Sequence, residues 1–427
     1  MKSLRVLLVS LVGMYVSSVM GQESAITVNI QNDVITRYMN EVTYTSQNDA
    51  SRIGDYVVPM EMLLDKPKPV IIEVPDKYKK FIKYGTVSVS YSFDESFAPT
   101  LTNTIIVEKD EVGISIYDIE PGKTCYYRII VFSMPVILGK IITEGPVRMI
   151  YTPSVRNVRD MGGWVTSDGR RIRYGKLFRG SELNGQHLAD NADIQHLLDL
   201  GVSAELDLRA NYEESHGISA FGFKDASQVE DGETPTYFYA NDSGQLLSHL
   251  SQYAYLQRWK SEFAFIVNNL RAGRSIYQHC RWGADRTGYL SLLLEGMLGV
   301  TYDGLVKDYE LTSCFTFDKS KEKIDPVISF IENLNGETLQ EKFITFWTKR
   351  VGVNQEDIDY FIDEMLEGEI QDDDVTTGVT FVSRSVMPAN ECYDLQGRRI
   401  NGRGHGLMLR RLPDGRVIKQ MSHTSVK

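Results

Sequence analysis

His279-Cys280-Arg281-Trp282-Gly283-Ala284-Asp285-Arg286-Thr287-Gly288 is the stretch that decides how this chain is read. It sets a cysteine and an arginine six positions apart on one tight loop, with an apolar segment on each side. Arg274 to Gln278 reads as a short buried strand, and Tyr289 to Leu298 as a helix stopped by Gly299. Strand, loop and helix in that order form an anion cradle. The loop N–H groups converge on one point, and the helix N-terminus adds partial positive charge. A cysteine at the bottom of such a cradle is of the kind that reacts as a thiolate. Cys280 therefore reads as a nucleophile for a phosphate ester, against the alternative of a buried structural cysteine beside an accidental arginine.

Each neighbour has a chemical reason to be there. Phosphoryl transfer asks the protein mainly for positioning and charge stabilisation. Arg286 offers a planar fork that binds two phosphoryl oxygens. Thr287 has a hydroxyl to donate to the thiolate when sulfur leaves. Gly283 and Gly288 let backbone approach a ligand closely, and His279 reads as ordering the loop by hydrogen bonding.

The loop resembles the Cys-x5-Arg-Ser/Thr signature of protein tyrosine phosphatases. Its Asp-Arg-Thr-Gly ending is similar to bacterial tyrosine and lipid phosphatases whose loops read His-Cys-x-x-Gly-Lys-Asp-Arg-Thr-Gly. Asn157 to Gly163 with Leu177 to Ser181, Leu206 to Arg209, and Asp308 to Thr312 resemble further blocks of that family. The resemblance runs over roughly residues 150 to 368. It implies an α/β phosphatase domain, a parallel sheet flanked by helices, over 151–368. It also implies Cys280 as nucleophile and Asp285 as general acid and base. Asp207 is expected to hold Arg286 in its phosphate-binding rotamer, and Arg159 and Asp160 to line or buttress the pocket. His279, Arg281, Trp282, Gly283, Ala284 and Gly288 are expected to complete the binding loop. Asp242 competes with Asp285 for the acid role, because it lies about where other cysteine phosphatases carry a mobile acid loop.

One departure from that pattern matters. The family's loop lysine is Ala284 here. Arg281 either restores the missing cation, or faces solvent, or pairs with an acid. Trp282 either stacks on a substrate ring or packs. The implied substrates are phosphotyrosine in proteins, or a phosphoinositide or inositol phosphate. No metal or other cofactor is implied, since arginine and backbone dipoles supply the charge stabilisation. The contrasting reading is a phosphate-binding and attachment module whose catalysis has lapsed.

The rest of the chain frames this domain. With 427 residues, 42% hydrophobic and 24% charged, it has room for two or three globular domains. A net charge of −11 argues against nucleic acid as a partner. Lys2 and Arg5, the apolar run from Val6 to Val12 and the small residue Gly21 read as a signal peptide over 1–21, hence an exported protein reaching the periplasm, cell surface or exterior. Outside that leader no run reaches the ~18 apolar residues of a membrane span, so no stable membrane insertion is expected. The four cysteines, Cys125, Cys280, Cys314 and Cys392, show no metal-like spacing, and Cys125 and Cys314 read as core residues.

Residues 22–150 read as an all-β sandwich, from the alternation in Gly85 to Ser92 and Cys125 to Phe132. Ile116 to Arg128 resembles part of a fibronectin type III domain, a module that positions or attaches an enzyme. Asn211 to Leu247 reads as an insertion or lid. Gln252 to Leu270, Ile324 to Leu334 and Gln355 to Leu366 read as helices, the last capped by Asn354. An acidic linker is expected over 369–386. Residues 387–427 resemble the short C-terminal sorting domains of bacterial type IX secreted proteins, the alternative being a small β-hairpin that packs on the body.

Overall fold

The computed structural model describes residues 21–22, 25–58, 66–242, 250–316 and 318–370, with four short strands between 392 and 422. The expected leader lies outside the described residues apart from Gly21, as does most of the acidic linker. No helix among the described residues is long and apolar enough to cross a membrane.

The first region is built from β1 (Gly21–Gln22), β2 (Ile26–Asn29), β3 (Val70–Glu73), β4 (Val87–Ser92), β5 (Thr102–Ile106), β6 (Gly113–Ile116), β7 (Thr124–Val131) and β8 (Met134–Glu144). β1 and β2 run parallel along β8, which continues through β7 and β4 to the edge strand β5. β3 and β6 form a separate antiparallel ribbon. Period-2 alternation decides what is buried. Cys125, Tyr127, Ile129 and Val131 of β7 join Val87 and Val89 of β4 in one apolar cluster, together with Val70, Ile72, Ile114 and Ile116 from the ribbon. Cys125 is thus a core residue, as expected.

The second region carries the sheet that positions the loop. Its strands are β9 (Arg159–Asp160), β11 (Leu177–Gly180), β12 (Val202–Asp207), β13 (Tyr237–Tyr239) and β14 (Ser275–His279); β10 (Arg171–Ile172) pairs apart from it with β15 (Leu366–Glu367). The order is β13-β12-β14-β11-β9, parallel except for β9. Both faces are covered, as a parallel sheet requires. Leu177 and Ile276 enter the larger core, whereas their neighbours Phe178 and Tyr277 enter a smaller cluster on the other face.

The helices relevant to the site are α1 (Asp33–Glu41), α2 (Asn191–Asp199), α3 (Tyr253–Arg271), α4 (Asp285–Met297), α5 (Tyr302–Glu310), α6 (Asp325–Glu332), α7 (Leu339–Thr345) and α8 (Gln355–Met365). α3, α6 and α8 lie where periodicity puts them, and Asn354 caps α8 by accepting from Asp357 N–H. Beyond its first turn α4 is buried on every side, with Leu290, Leu292, Leu293, Leu294 and Met297 joined by Ser291 and Glu295, so it runs through the core rather than along its surface. α7 was not evident from the sequence. Its Phe343 fills the space that Gly296 of α4 leaves open, where a Cβ would lie 2.4 Å from the ring.

Packing corrects one expectation about domains. Residues 33–57 do not join the β region: Ile35, Tyr38, Val42, Tyr44, Ile53 and Val57 pack in the core of the second region. The anchor is Glu310 of α5, which accepts from the hydroxyls of Tyr38 (2.5 Å), Tyr44 (2.6 Å) and Ser51 (2.6 Å). A second seam forms at Asp118, held at φ +61°. Its carboxylate meets Tyr151 N–H at 2.8 Å and His196 Nε2 at 2.6 Å, and its carbonyl accepts from Arg148. The described residues up to 370 accordingly form one compact unit. The C-terminal strands Cys392–Tyr393, Arg399–Ile400, Gly406–Arg411 and Val417–Ser422 form an antiparallel sheet of their own.

Candidate active site

β14 is the middle strand of its sheet, and the loop leaves its C-terminal end, where open α/β sheets bind ligands. Gly283 sits at φ +62°, and a Cβ there would lie 2.3 Å from Gly180 O, so the close crossing of loop and β11 requires glycine. Beneath the loop, Asn157 Nδ2 donates to the carbonyls of Gly283 (2.9 Å) and Trp282 (3.3 Å), and Arg179 Nη2 donates to that of Gly283 at 3.1 Å. The C=O and N–H of a peptide point in opposite directions. Drawing these carbonyls down turns the N–H groups of Gly283 and Ala284 toward the opening. Ala284, the residue before α4, offers no side-chain cap, so the first-turn N–H groups of that helix remain available to an anion.

The anchors form a buried ionic lattice. Arg159 Nε donates to Asp308 Oδ1 at 2.9 Å, Nη2 to Asp308 O at 2.8 Å and Nη1 to Asn157 Oδ1 at 2.6 Å. Arg179 pairs with the other oxygen of Asp308. The side chains of Arg159 and Arg179 are 0% exposed and that of Asp308 is 2% exposed. Burial pushes the Asp308 carboxyl up, but the two guanidinium groups outweigh it and keep it ionised. Arg159 therefore buttresses the cradle and does not line it. Asp160 does neither. It points away to Arg148 Nη1 at 2.9 Å and to the N–H groups of Gly162 and Gly175.

Arg286, on the first turn of α4, is held by a residue that the sequence did not single out. Its Nη2 donates to Glu213 Oε1 at 2.8 Å, and its Nη1 to Glu213 Oε2 and, at 3.1 Å each, to the carbonyls of Leu208 and Asp242. Among the described residues Nε makes no hydrogen bond, which leaves it and one Nη2 hydrogen for a ligand. Burial acts against the charge, but the Glu213 contact and the Cys280 charge raise the Arg286 pKa further. The expected Asp207–Arg286 pair is absent. Asp207 is engaged by Arg209 through Nε (2.9 Å) and Nη2 (2.8 Å), and by the Tyr237 hydroxyl at 2.9 Å. The reason is local: Asp207 Oδ1 also accepts from the Arg209 backbone N–H at 2.9 Å, so backbone and guanidinium of one nearby residue together occupy the carboxylate. Burial works to raise the Asp207 pKa, but His279 and the Arg209 contacts outweigh it and hold it at about 2.

The remaining predicted residues divide into three groups. Cys280, Asp285, Arg286 and Thr287 lie together at the loop and the start of α4; Thr287 Oγ1 is buried and, among the described residues, has no hydrogen-bond partner. Asp285 pairs with Lys319 and accepts from the Tyr309 hydroxyl at 3.3 Å. His279 and Ala284 are sealed; His279 Nε2 meets Glu205 Oε1 of β12 at 3.0 Å, tying the end of β14 to the neighbouring strand. Gly288 packs against Tyr309. At the rim, Arg281 pairs with Gln186, and Trp282 packs edge-on against His187 with centroids 4.3 Å apart. A cavity of about 260 Å³ opens beside the loop, bordered by Arg281, Glu213, Tyr212 and His216. Asp242 turns its carboxylate to Arg258 at 3.2 Å and only its carbonyl to Arg286.

Comparison with known proteins gives one family match and two relatives. The tyrosine phosphatase family model matches residues 150–368, just over half of the chain. A protein of Cupriavidus necator named as a tyrosine-protein phosphatase is 30% identical over 166 residues, covering 36% of this chain and 60% of that protein. The triple specificity protein phosphatase PtpB of Mycobacterium tuberculosis is 26% identical over 190 residues, 37% of this chain and 66% of PtpB. The chain thus spans about two thirds or less of the length of these relatives. With the loop, its arginine and the sheet that carries them all inside the matched span, the chain belongs to the tyrosine phosphatase family.

Proposed function

We propose that this protein hydrolyses phosphate monoesters through a cysteinyl-phosphate intermediate, with phosphotyrosine in proteins as the main substrate and phosphoinositides or inositol phosphates as a further class. The observation that carries the reading is Arg286, fixed by Glu213 at the head of α4 with donors to spare for an anion. Cys280 Sγ attacks phosphorus and the ester P–O bond breaks as Asp285 protonates the leaving oxygen. Water then attacks phosphorus, Asp285 takes its proton, and the S–P bond breaks with Thr287 donating to the departing thiolate. Arg286 and the loop N–H groups hold the three equatorial oxygens in both steps. The acid role of Asp285 is supported by its carboxylate, 45% exposed on the first turn of α4, whereas Asp242 faces Arg258. Export through the N-terminal segment, attachment or positioning by a fibronectin III-like β region and sorting through the C-terminal strands belong to the same proposal.

The test is phosphate release by the purified chain from a phosphotyrosine peptide and from phosphoinositides and inositol phosphates, beside Cys280→Ser. Thiol chemistry predicts loss of ~10⁴-fold or more in the variant. Release that survives in Cys280→Ser would sink the mechanism. No release from any substrate by folded, reduced protein would favour the lapsed binding module.

A further inference from the structure

Asp285 follows the alanine at position 284 and is met by a lysine from a different part of the chain. Lys319 Nζ lies 2.7 Å from Asp285 Oδ1 and 3.0 Å from Oδ2. The lysine side chain is 7% exposed and the carboxylate 45%. The ammonium therefore approaches from within the protein and leaves the carboxylate partly open to solvent. Lys319 is itself locked in place: its N–H donates to Ser313 Oγ at 2.7 Å, and that buried hydroxyl donates back to Lys319 O at 3.3 Å. From α5 the Tyr309 hydroxyl reaches Asp285 Oδ1, and its ring stacks on Tyr289 with centroids 5.8 Å apart. Two donors on separate elements thus fix the plane of one carboxylate.

Stability alone accounts poorly for this arrangement. An ion pair with a half-exposed partner contributes about 1 kcal/mol or less, while immobilising a lysine costs up to about 2 kcal/mol of side-chain entropy and further desolvation. Proton transfer, by contrast, needs its donor held within about 0.5 Å of the productive geometry.

We propose that Lys319 is a positioning residue for the reaction, orienting Asp285 for proton transfer from a distant segment of the chain. This rests on Asp285 being the acid. In the first step the Asp285 proton passes to the leaving oxygen, and the carboxylate that results faces the Lys319 ammonium. In the second step the carboxylate regains a proton from water. The ammonium keeps its three protons throughout.

Aryl phosphates of graded leaving-group basicity test this, because p-nitrophenolate departs with little help from a proton and phenolate does not. Asp285→Asn is expected to slow phenyl phosphate ~10²-fold and p-nitrophenyl phosphate far less. Lys319→Met should slow phenyl phosphate about ten-fold more than p-nitrophenyl phosphate, with KM for the latter within about three-fold of the parent. Lys319→Arg should recover most of the loss, and Lys319→Met placed in Asp285→Asn should add none. Equal slowing of both substrates by Lys319→Met, or effects that multiply in the double variant, would overturn the proposal. If Lys319→Met does not fold, Lys319→Gln is judged by the same criteria. Leaving-group dependence in Asp285→Asn but not in the Lys319 variants removes the lysine's role alone. Its absence in Asp285→Asn removes the acid assignment itself.

Discussion

Two sets of arginines serve the cradle, and they differ in what surrounds them. Arg159 and Arg179 lie beneath it, sealed against Asp308 and aimed at loop carbonyls through Asn157 and Arg179 Nη2. Arg286 lies at its head, 13% exposed, with Glu213 on one edge of its guanidinium and open donors on the other. The lower set shapes backbone and the upper presents charge. Damage to the first should register in stability and damage to the second in turnover.

The largest expected effect comes from Arg286→Lys. It keeps a cation beside Glu213 but loses the planar fork, so kcat/KM should fall on the order of 10³-fold, ~4 kcal/mol of transition-state stabilisation, while the thermal melt moves little. A large fall in melting temperature with modest kinetic loss would erase the division between the two sets. Asp308→Asn tests the lower set. Removing one partner of a buried ionic cluster costs about 3–5 kcal/mol, read by urea unfolding, and a variant as stable as its parent would mean that the lattice does not hold the loop.

Asp207→Asn comes next, at about 2 kcal/mol. The Asp207 pKa is depressed to about 2 in the folded protein. Its stabilisation is therefore fully present above the unfolded value near 4 and is lost as pH falls through about 2. The stability gap between parent and variant should narrow between pH ~5 and ~2; a gap constant with pH contradicts this. Glu213→Gln is expected to have the smallest effect, roughly ten-fold in kcat/KM, about 1.4 kcal/mol, with the fold intact. Were Asp207→Asn to slow turnover more than Glu213→Gln, the orienting role would return to Asp207.

Much of the site was legible as residue types at fixed spacing. Cys280, Asp285, Arg286 and Thr287 sit within one loop and one helical turn, where sequence separation and spatial separation coincide. Strands were legible in part for the same reason: period 2 in β7 reports its burial directly, and β14 carries Ile276 and Tyr277 between turn-forming and loop residues. Glu213 was not, because it lies in a polar loop with no periodicity, and only the path of that loop brings its carboxylate to Arg286. The segment 33–57 misled for a related reason: α1 shows one apolar face, but amphipathicity does not name the surface it will cover.

The sequence by itself determined the cradle, its cysteine, its arginine and the family, because those depend on local backbone chemistry. Tertiary structure alone decided the partners: Glu213 rather than Asp207 for Arg286, Lys319 for Asp285, and Asp308 beneath the loop. Ion pairing needs two groups within about 4 Å, and no spacing along the chain specifies which distant carboxylate or ammonium the packing of helices and loops will deliver there.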